Sequence, residues 1–264
     1  MSKNSSANSL KRFLLIRTDR IGDTILTLPA VTALRSQYRD AFIAFLAQPY
    51  TVPLIEQYVG IDISLSYEPH GRHKGWQGLS KLSHELQELN FDAALLFYPR
   101  VKLAFAIAKA GIPVRIGTGY RWYSFLLTER IFEHRKDCQK HEAEYNFSLL
   151  ESLLPDKNPQ PQYKFKQWLP EPWWEDFRTV LNSKDYVIVH PGYGASAPNL
   201  NNEQYRLIIR LLLEKTDWTV LLTGIAGEEN LVHEIAADFP EERVKRVVGR
   251  FSLAEFFSVV RNAS

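Results

Sequence analysis

FLLIRTDRIGDTILTLPAVTALR, residues 13–35, runs an apolar strand into a charged turn and then directly into a long amphipathic helix. The turn holds Arg17, Asp19, Arg20 and Asp23 around a single glycine, Gly22. Open α/β sheets bind ligands in the crevice outside the carboxyl ends of their strands, so charges packed this densely after a first strand mark a ligand-facing loop. A dinucleotide-binding turn needs three glycines at fixed spacing to let the backbone approach a pyrophosphate. With one glycine, this turn reads as built to present a carboxylate.

Outward from that turn, short apolar runs alternate with helical patterns, the signature of parallel βαβ units. The patterns predict strands at 12–17, 41–47, 61–66, 91–97 and 113–117. They predict helices at 22–38 and 77–90, the latter carrying Leu79, Leu82, Leu86 and Leu89 at helical spacing. Pro29 is expected to kink or restart the first helix. Residues 155–172, PDKNPQPQYKFKQWLPEP, hold five prolines and read as an extended interdomain linker. Beyond it the alternation resumes, with helix 173–182, strand 186–190, helix 202–215, strand 218–223, helix 227–238, strand 246–248 and helix 252–261. The predicted organisation is a disordered polar N-terminus at 1–11, a first α/β domain at 12–154, the linker, and a second α/β domain at 173–264.

Composition narrows the function. The chain has 264 residues, 45% hydrophobic and 23% charged, enough for two packed cores. A net charge of +2 is too small to argue for nucleic acid. The single cysteine, Cys138, excludes an internal disulfide framework and a cysteine-rich zinc site, fits a reducing compartment, and is expected simply to pack. The opening MSKNSSANSLKRF lacks the apolar region of a secretory signal, and no run reaches the length of a membrane span. The expectation is a soluble, cytoplasmic protein.

Three segments together carry a resemblance. RTDRIGDTILTLPA is similar to the opening signature of glycosyltransferase family 9, the ADP-heptose:lipopolysaccharide heptosyltransferases. HPGYGASAPNLNNEQY, residues 190–205, resembles the family's nucleotide-proximal loop, and TGIAGEEN, residues 223–230, its glycine and glutamate turn one βα unit later. The resemblance implies an α/β fold of two Rossmann-like doubly wound domains, the B-type glycosyltransferase architecture. In the family, the segment resembling FSLAEFFSVVRNAS is followed by further nucleotide-contacting units. The chain therefore reads as truncated at its C-terminus, with an incomplete second domain of about ninety residues.

The resemblance also implies a chemistry: inverting transfer of heptose from ADP-heptose to a lipopolysaccharide core acceptor of lipid A/Kdo type. Such a step needs a base near the acceptor hydroxyl and positive or dipolar groups near the departing diphosphate. Asp23 matches the family's aspartate after glycine and is the candidate base; a plain helix cap is the alternative. Asp19 and Arg20 are candidates for the same acceptor wall, with a solvated ion pair as the alternative. For the donor, Gly192, Tyr193, Gly194 and Ser196 lie between a strand and a helix, where backbone N–H groups can face a diphosphate. Pro198 stands where many family members have a lysine near the phosphates. Past the strand ending at Thr223 stand Gly224 and Glu228, the glutamate implied to face the donor's ribose or base, and Phe251 matches the position whose backbone lies against adenine in the family; a favourable helix start and a core phenylalanine are the plain readings.

Residues 115–145 concentrate the remaining charge. Arg115, Arg121, Arg130, Arg135, Lys136 and Lys140 are interleaved with Tyr120, Trp122, Tyr123 and Phe125. Arg115, Arg121 and Trp122 are taken as acceptor-binding, because a basic, aromatic surface suits carboxylates, phosphates and sugar faces. The same surface could touch an anionic inner membrane leaflet. His141 and His190 lack a partner at metal-ligand spacing, and no Asp-x-Asp occurs. No obligatory cofactor is expected, although loosely bound Mg²⁺ stays compatible. Two rivals remain: a catalytically silent sugar-nucleotide or glycan binding protein of the same fold, and a nicotinamide-dependent oxidoreductase, which the single-glycine turn disfavours.

Overall fold

A computed structural model describes residues 10–133, 139–154, 162–166, 171–179, 181, 185–193 and 198–264. The chain divides into two compact units, Met1–Lys166 and Gln167–Ser264. Each is described by itself.

In the first unit, β1 (Arg12–Ile16) carries Phe13, Leu14, Leu15 and Ile16, apolar and buried on both faces as a central parallel strand must be. It leads through the charged turn into α1 (Ile21–Thr27) and α2 (Pro29–Gln37). The chain stays helical through Leu28, and Pro29 opens the second helix at its first turn, where its missing N–H costs nothing. β2 (Phe42–Ala47), the short α3 (Val52–Glu56), β3 (Ile63–Ser66), α4 (Gly75–Glu88), β4 (Ala93–Leu96), α5 (Val101–Lys109) and β5 (Val114–Thr118) follow. A three-residue strand, β6 (Glu129–Ile131), and the helix α6 (Glu142–Ser148) complete the unit. The sheet is parallel throughout, in the order β3-β2-β1-β4-β5-β6.

That order reverses direction between β1 and β4, so the loops after these two strands diverge and leave a crevice at their carboxyl ends. Leu14, Ile16, Ala94 and Leu96 of the sheet pack with Leu79, Leu82 and Leu86 of α4 and with Leu103 and Ile107 of α5. Residues 162–166, inside the stretch expected to be linker, run against this unit. Phe165 bridges to Tyr58, their rings meeting edge to face at 5.1 Å.

The second unit begins with α7 (Glu171–Arg178), two residues before the expected helix start, and continues with β7 (Tyr186–Val189) and α8 (Asn202–Lys215). β8 (Thr219–Gly224), α9 (Glu229–Ala236), β9 (Val244–Val248) and α10 (Leu253–Arg261) follow. Its three described strands are parallel, in the order β7-β8-β9. Val189, Val220 and Leu222 pack with Ile209 of α8 and with Val232 and Ile235 of α9. Tyr186 and Leu221 join Val259 of α10, Trp173 and Phe177 of α7, and Phe251 in a separate cluster. α8 starts at a reciprocal cap, in which Asn201 accepts from the Gln204 N–H and Gln204 accepts from the Asn201 N–H, each at 2.9 Å.

Candidate functional site

At the carboxyl edge of the first sheet lies a cavity of about 600 Å³. The loop after β1 supplies Arg17 and Asp19, and the first turn of α1 supplies Asp23; the loop after β4 supplies Phe97, Tyr98 and Pro99. Thr118 ends β5 with Tyr120 and Arg121 just beyond it, Glu133 follows β6, Glu142 opens α6 and Leu149 caps its C-terminus. Four successive strand ends and one helix converge here, where the reversal of strand order predicts a ligand.

Arg17 organises the wall. It is 4% exposed, and its planar fork spreads over four partners. Nε donates to Asp19 Oδ1 at 2.7 Å and Nη2 pairs with Asp23 Oδ1 at 3.0 Å. Nη1 reaches Glu142 Oε1 and Asn146 Oδ1, both at 3.3 Å. A lysine's single point charge could not fix three carboxylates in this way. Asn146 is oriented in turn, its amide donating to the Leu26 carbonyl at 3.0 Å and to Thr27 Oγ1 at 3.2 Å. The carboxylate of Asp23, in the first turn of α1, is therefore held from the sheet side by Arg17 while staying one-third exposed to the cavity. Asp19 differs. Burial pushes its carboxyl above the ordinary value, Arg17 pulls it back, and the Asp23 charge pushes it up again. The two carboxylates thus share one cation in unequal surroundings, with Asp23 the more accessible to an entering hydroxyl.

The acceptor residues expected from sequence separate in space. Asp19, Asp23 and Arg121 line the cavity. Arg20 is exposed and caps the start of α1 without a side-chain hydrogen bond. Arg115 turns its guanidinium into the protein's own backbone, donating to the carbonyls of Leu126, at 2.7 Å, and of Ile112. Trp122 is 78% exposed and meets Tyr123 edge to face. Lys140 pairs with Glu133. His141 is the N-cap of α6, its Nδ1 accepting from the Ala143 N–H at 3.2 Å.

In the second unit, three of the predicted donor residues meet at the carboxyl edge of the sheet. The Glu228 carboxylate accepts from the Ile225 N–H at 2.8 Å and lies against both Gly192 and Gly224. A Cβ on Gly192 would overlap that carboxylate as it is now placed, so a larger residue there would displace the Glu228 side chain. Gly249, in a left-handed conformation at φ +61°, donates its N–H to the Gly224 carbonyl at 2.9 Å and joins the third strand end to the same edge. His190 shares a hydrogen bond of 2.9 Å with Thr223 Oγ1, and Tyr193 is exposed. Trp173 and Phe177 stack on each other and the Phe251 ring meets both edge to face, so its side chain packs within this aromatic cluster. Gly194, Ser196, Arg135, Lys136 and Cys138 lie outside the described residues, as do most of the expected disordered N-terminus and much of the expected linker.

Among the described residues no group of three or more histidine, cysteine, aspartate or glutamate side chains could hold a metal ion, and no helix is long and apolar enough to cross a membrane. Sequence reasoning passed over Arg17 as a site residue and could not reach Glu142 or Asn146. The signal for Arg17 was its place at the very end of the central strand. The other two lie more than a hundred residues away in sequence, and nothing local marks them.

Comparisons with known proteins bear on the fold and the family. The model of glycosyltransferase family 9 (heptosyltransferase) matches residues 79–264. A provisionally named glycosyltransferase of Haemophilus influenzae is 28% identical over 239 residues, covering 86% of this chain and 67% of its own length. The crystal structure of a family 9 glycosyltransferase from Veillonella parvula superposes with a TM-score of 0.81 at 18% identity, over 96% of this chain and 73% of that one. The Escherichia coli ADP-heptose lipopolysaccharide heptosyltransferase II superposes at 0.75 with 21% identity, over 96% of this chain and 77% of that one. With a family model spanning well over half of its residues, the chain belongs to glycosyltransferase family 9, the heptosyltransferase family of glycosyltransferase enzymes.

Proposed function

We propose that this protein transfers a heptose from ADP-heptose to a lipopolysaccharide core acceptor of the lipid A/Kdo type, with inversion at the anomeric carbon. One observation carries the reading: Asp23 is presented to a cavity at the switch point of the first sheet and held there by a buried arginine. The acceptor hydroxyl attacks the anomeric carbon and gives its proton to Asp23 as the carbon–oxygen bond to the diphosphate breaks. ADP departs with both electrons of that bond. Tyr98, Tyr120 and Arg121 give the cavity aromatic and cationic surface for the acceptor sugar.

The glycine edge of the second unit is the proposed seat of the ADP portion. Gly192 and Gly224 permit close backbone approach, and Glu228 presents a carboxylate able to accept from ribose hydroxyls. The name of the Escherichia coli relative, which joins ADP-heptose to lipopolysaccharide, supports the choice of donor and acceptor. No step calls for an obligatory metal.

Calorimetric titration of the purified chain with ADP, ADP-heptose and NADH tests the donor assignment. The reading predicts binding of both adenine nucleotides, tighter for the sugar form, and none of NADH. Binding of NADH alone would replace it with the oxidoreductase reading.

A further inference from the structure

Three segments of the first unit meet on one outer face and are unusual in composition. They are residues 74–82 (KGWQGLSKL), 100–109 (RVKLAFAIAK) and 119–126 (GYRWYSFL). They contain Lys74, Lys81, Arg100, Lys102, Lys109 and Arg121, all exposed, and no aspartate or glutamate, in a chain that carries 30 acidic residues. The same face exposes large apolar side chains: Trp76 at 79%, Trp122 at 78%, Phe125 at 64%, and to a lesser degree Phe105 and Val101.

The segments are joined by direct contacts. Trp76 of α4 meets Phe105 of α5 edge to face at 6.1 Å, and one turn further along each helix Lys109 Nζ donates to Ser80 Oγ at 2.8 Å. The turn Ser124–Leu126 packs against α5. The surface also borders the cavity, since Arg100 lies over the ring of Tyr98 at 4.5 Å and both Tyr98 and Arg121 are cavity-lining.

Exposed tryptophan and phenylalanine would be costly on a surface that met only water, and six cations without a carboxylate would repel a second copy of the same face. A bilayer interface satisfies both. Aromatic rings on an amphipathic surface enter the headgroup level, and lysines and arginines are drawn to an anionic leaflet.

We infer that this face is a membrane-docking surface that binds anionic phospholipid, with Trp76, Phe105, Trp122 and Phe125 entering the headgroup region and the surrounding lysines and arginines holding the leaflet's charge. Docked in this way, the cavity mouth opens beside the bilayer. The inference extends the reading of a lipid-anchored acceptor, but vesicle binding is measured without any transfer reaction and stands or falls separately from it.

The experiment is sedimentation of the full chain with large unilamellar vesicles. Vesicles of phosphatidylglycerol and phosphatidylethanolamine are compared with phosphatidylcholine alone. The expected result is partition to the anionic vesicles that weakens with salt, and at least about tenfold weaker partition to phosphatidylcholine. Two double variants, Trp76→Ser with Phe105→Ser and Lys81→Glu with Lys102→Glu, should each lose about tenfold in anionic-vesicle affinity, with unchanged circular dichroism and unchanged ADP binding. The charge-reversal pair touches no core residue and keeps the test open if the aromatic pair misfolds. No binding of the native chain to anionic vesicles, or binding that the charge-reversal pair leaves intact, would overturn the inference. A lipid-free dimer in sedimentation velocity that Trp76→Ser with Phe105→Ser dissolves would assign the surface to self-association instead.

Discussion

The guanidinium of Arg17 brings one positive charge against three carboxylates in a place where it is 4% exposed, so water screens these contacts poorly. Removing it leaves Asp19, Asp23 and Glu142 facing one another without their shared cation, and truncating one member of such a buried network is strongly destabilising. Arg17→Met should lower the unfolding free energy by about 3–5 kcal/mol in urea titration. Arg17→Lys should retain more stability, because a charge remains, yet still misplace Asp23, because the fork is lost. A methionine variant as stable as the native chain would show that the cluster is not the organising contact described here. Asp23 stood out in the sequence only through the family resemblance, since a helix cap is a sufficient plain explanation for a carboxylate after glycine at a strand-to-helix turn. Its geometry was not legible, because the clamp is completed by Glu142 and Asn146 of α6, which only the fold brings to the end of β1.

Element boundaries followed the periodicity closely wherever apolar runs were long. β1, β2 and α8 lie within a residue or so of the expected bounds, and Pro29 restarts the first helix as its missing N–H requires. What escaped were β6 and the helices α3, α5 and α6. β6 has three residues, only one of them aliphatic, and gains its place by pairing with β5 rather than by a pattern of its own. The loop joining β3 to α4 also holds a feature invisible in sequence, the buried His73. Its Nδ1 accepts from the Glu68 N–H at 3.0 Å, which leaves the proton on Nε2, facing Glu85 at 3.2 Å. Burial lowers its pKa below the ordinary 6.5, against the opposing pull of Glu85. The unfolded chain therefore takes up a proton first as pH falls. The stability that neutral His73 contributes is present in full above about pH 6.5 and is lost as pH drops through the lower folded value. Thermal melts between about pH 7.5 and 5 should show a decline that His73→Gln flattens. An identical slope in the variant would place the pH sensitivity elsewhere.

At the scale of the whole molecule, each unit has a parallel sheet with its own apolar clusters, and each carries a different part of the proposed chemistry. A ligand stabilises only the body it binds, by mass action. Scanning calorimetry with saturating ADP should therefore raise the transition belonging to Gln167–Ser264 more than that of Met1–Lys166, the two being told apart by tryptophan substitutions placed in one unit at a time. A shift confined to the first unit would move the proposed nucleotide seat away from Gly192, Gly224 and Glu228. The division into two α/β units was readable from the alternation on either side of the proline-rich stretch, since that stretch interrupts two otherwise regular series. The common edge shared by Gly192, Gly224 and Gly249 was only half readable, because a lone glycine after a strand carries little information until parallel pairing aligns three of them.

The measurement that decides whether Asp23 is the base of a glycosyl transfer is ADP release from ADP-heptose in the presence of a lipopolysaccharide core acceptor. It would compare the native chain with Asp23→Asn, with ADP-heptose affinity measured in parallel. The account predicts acceptor-dependent release that falls by about 10²–10⁴-fold in the variant while donor affinity is unchanged. Acceptor-dependent release that proceeds equally well with asparagine at position 23 would contradict it.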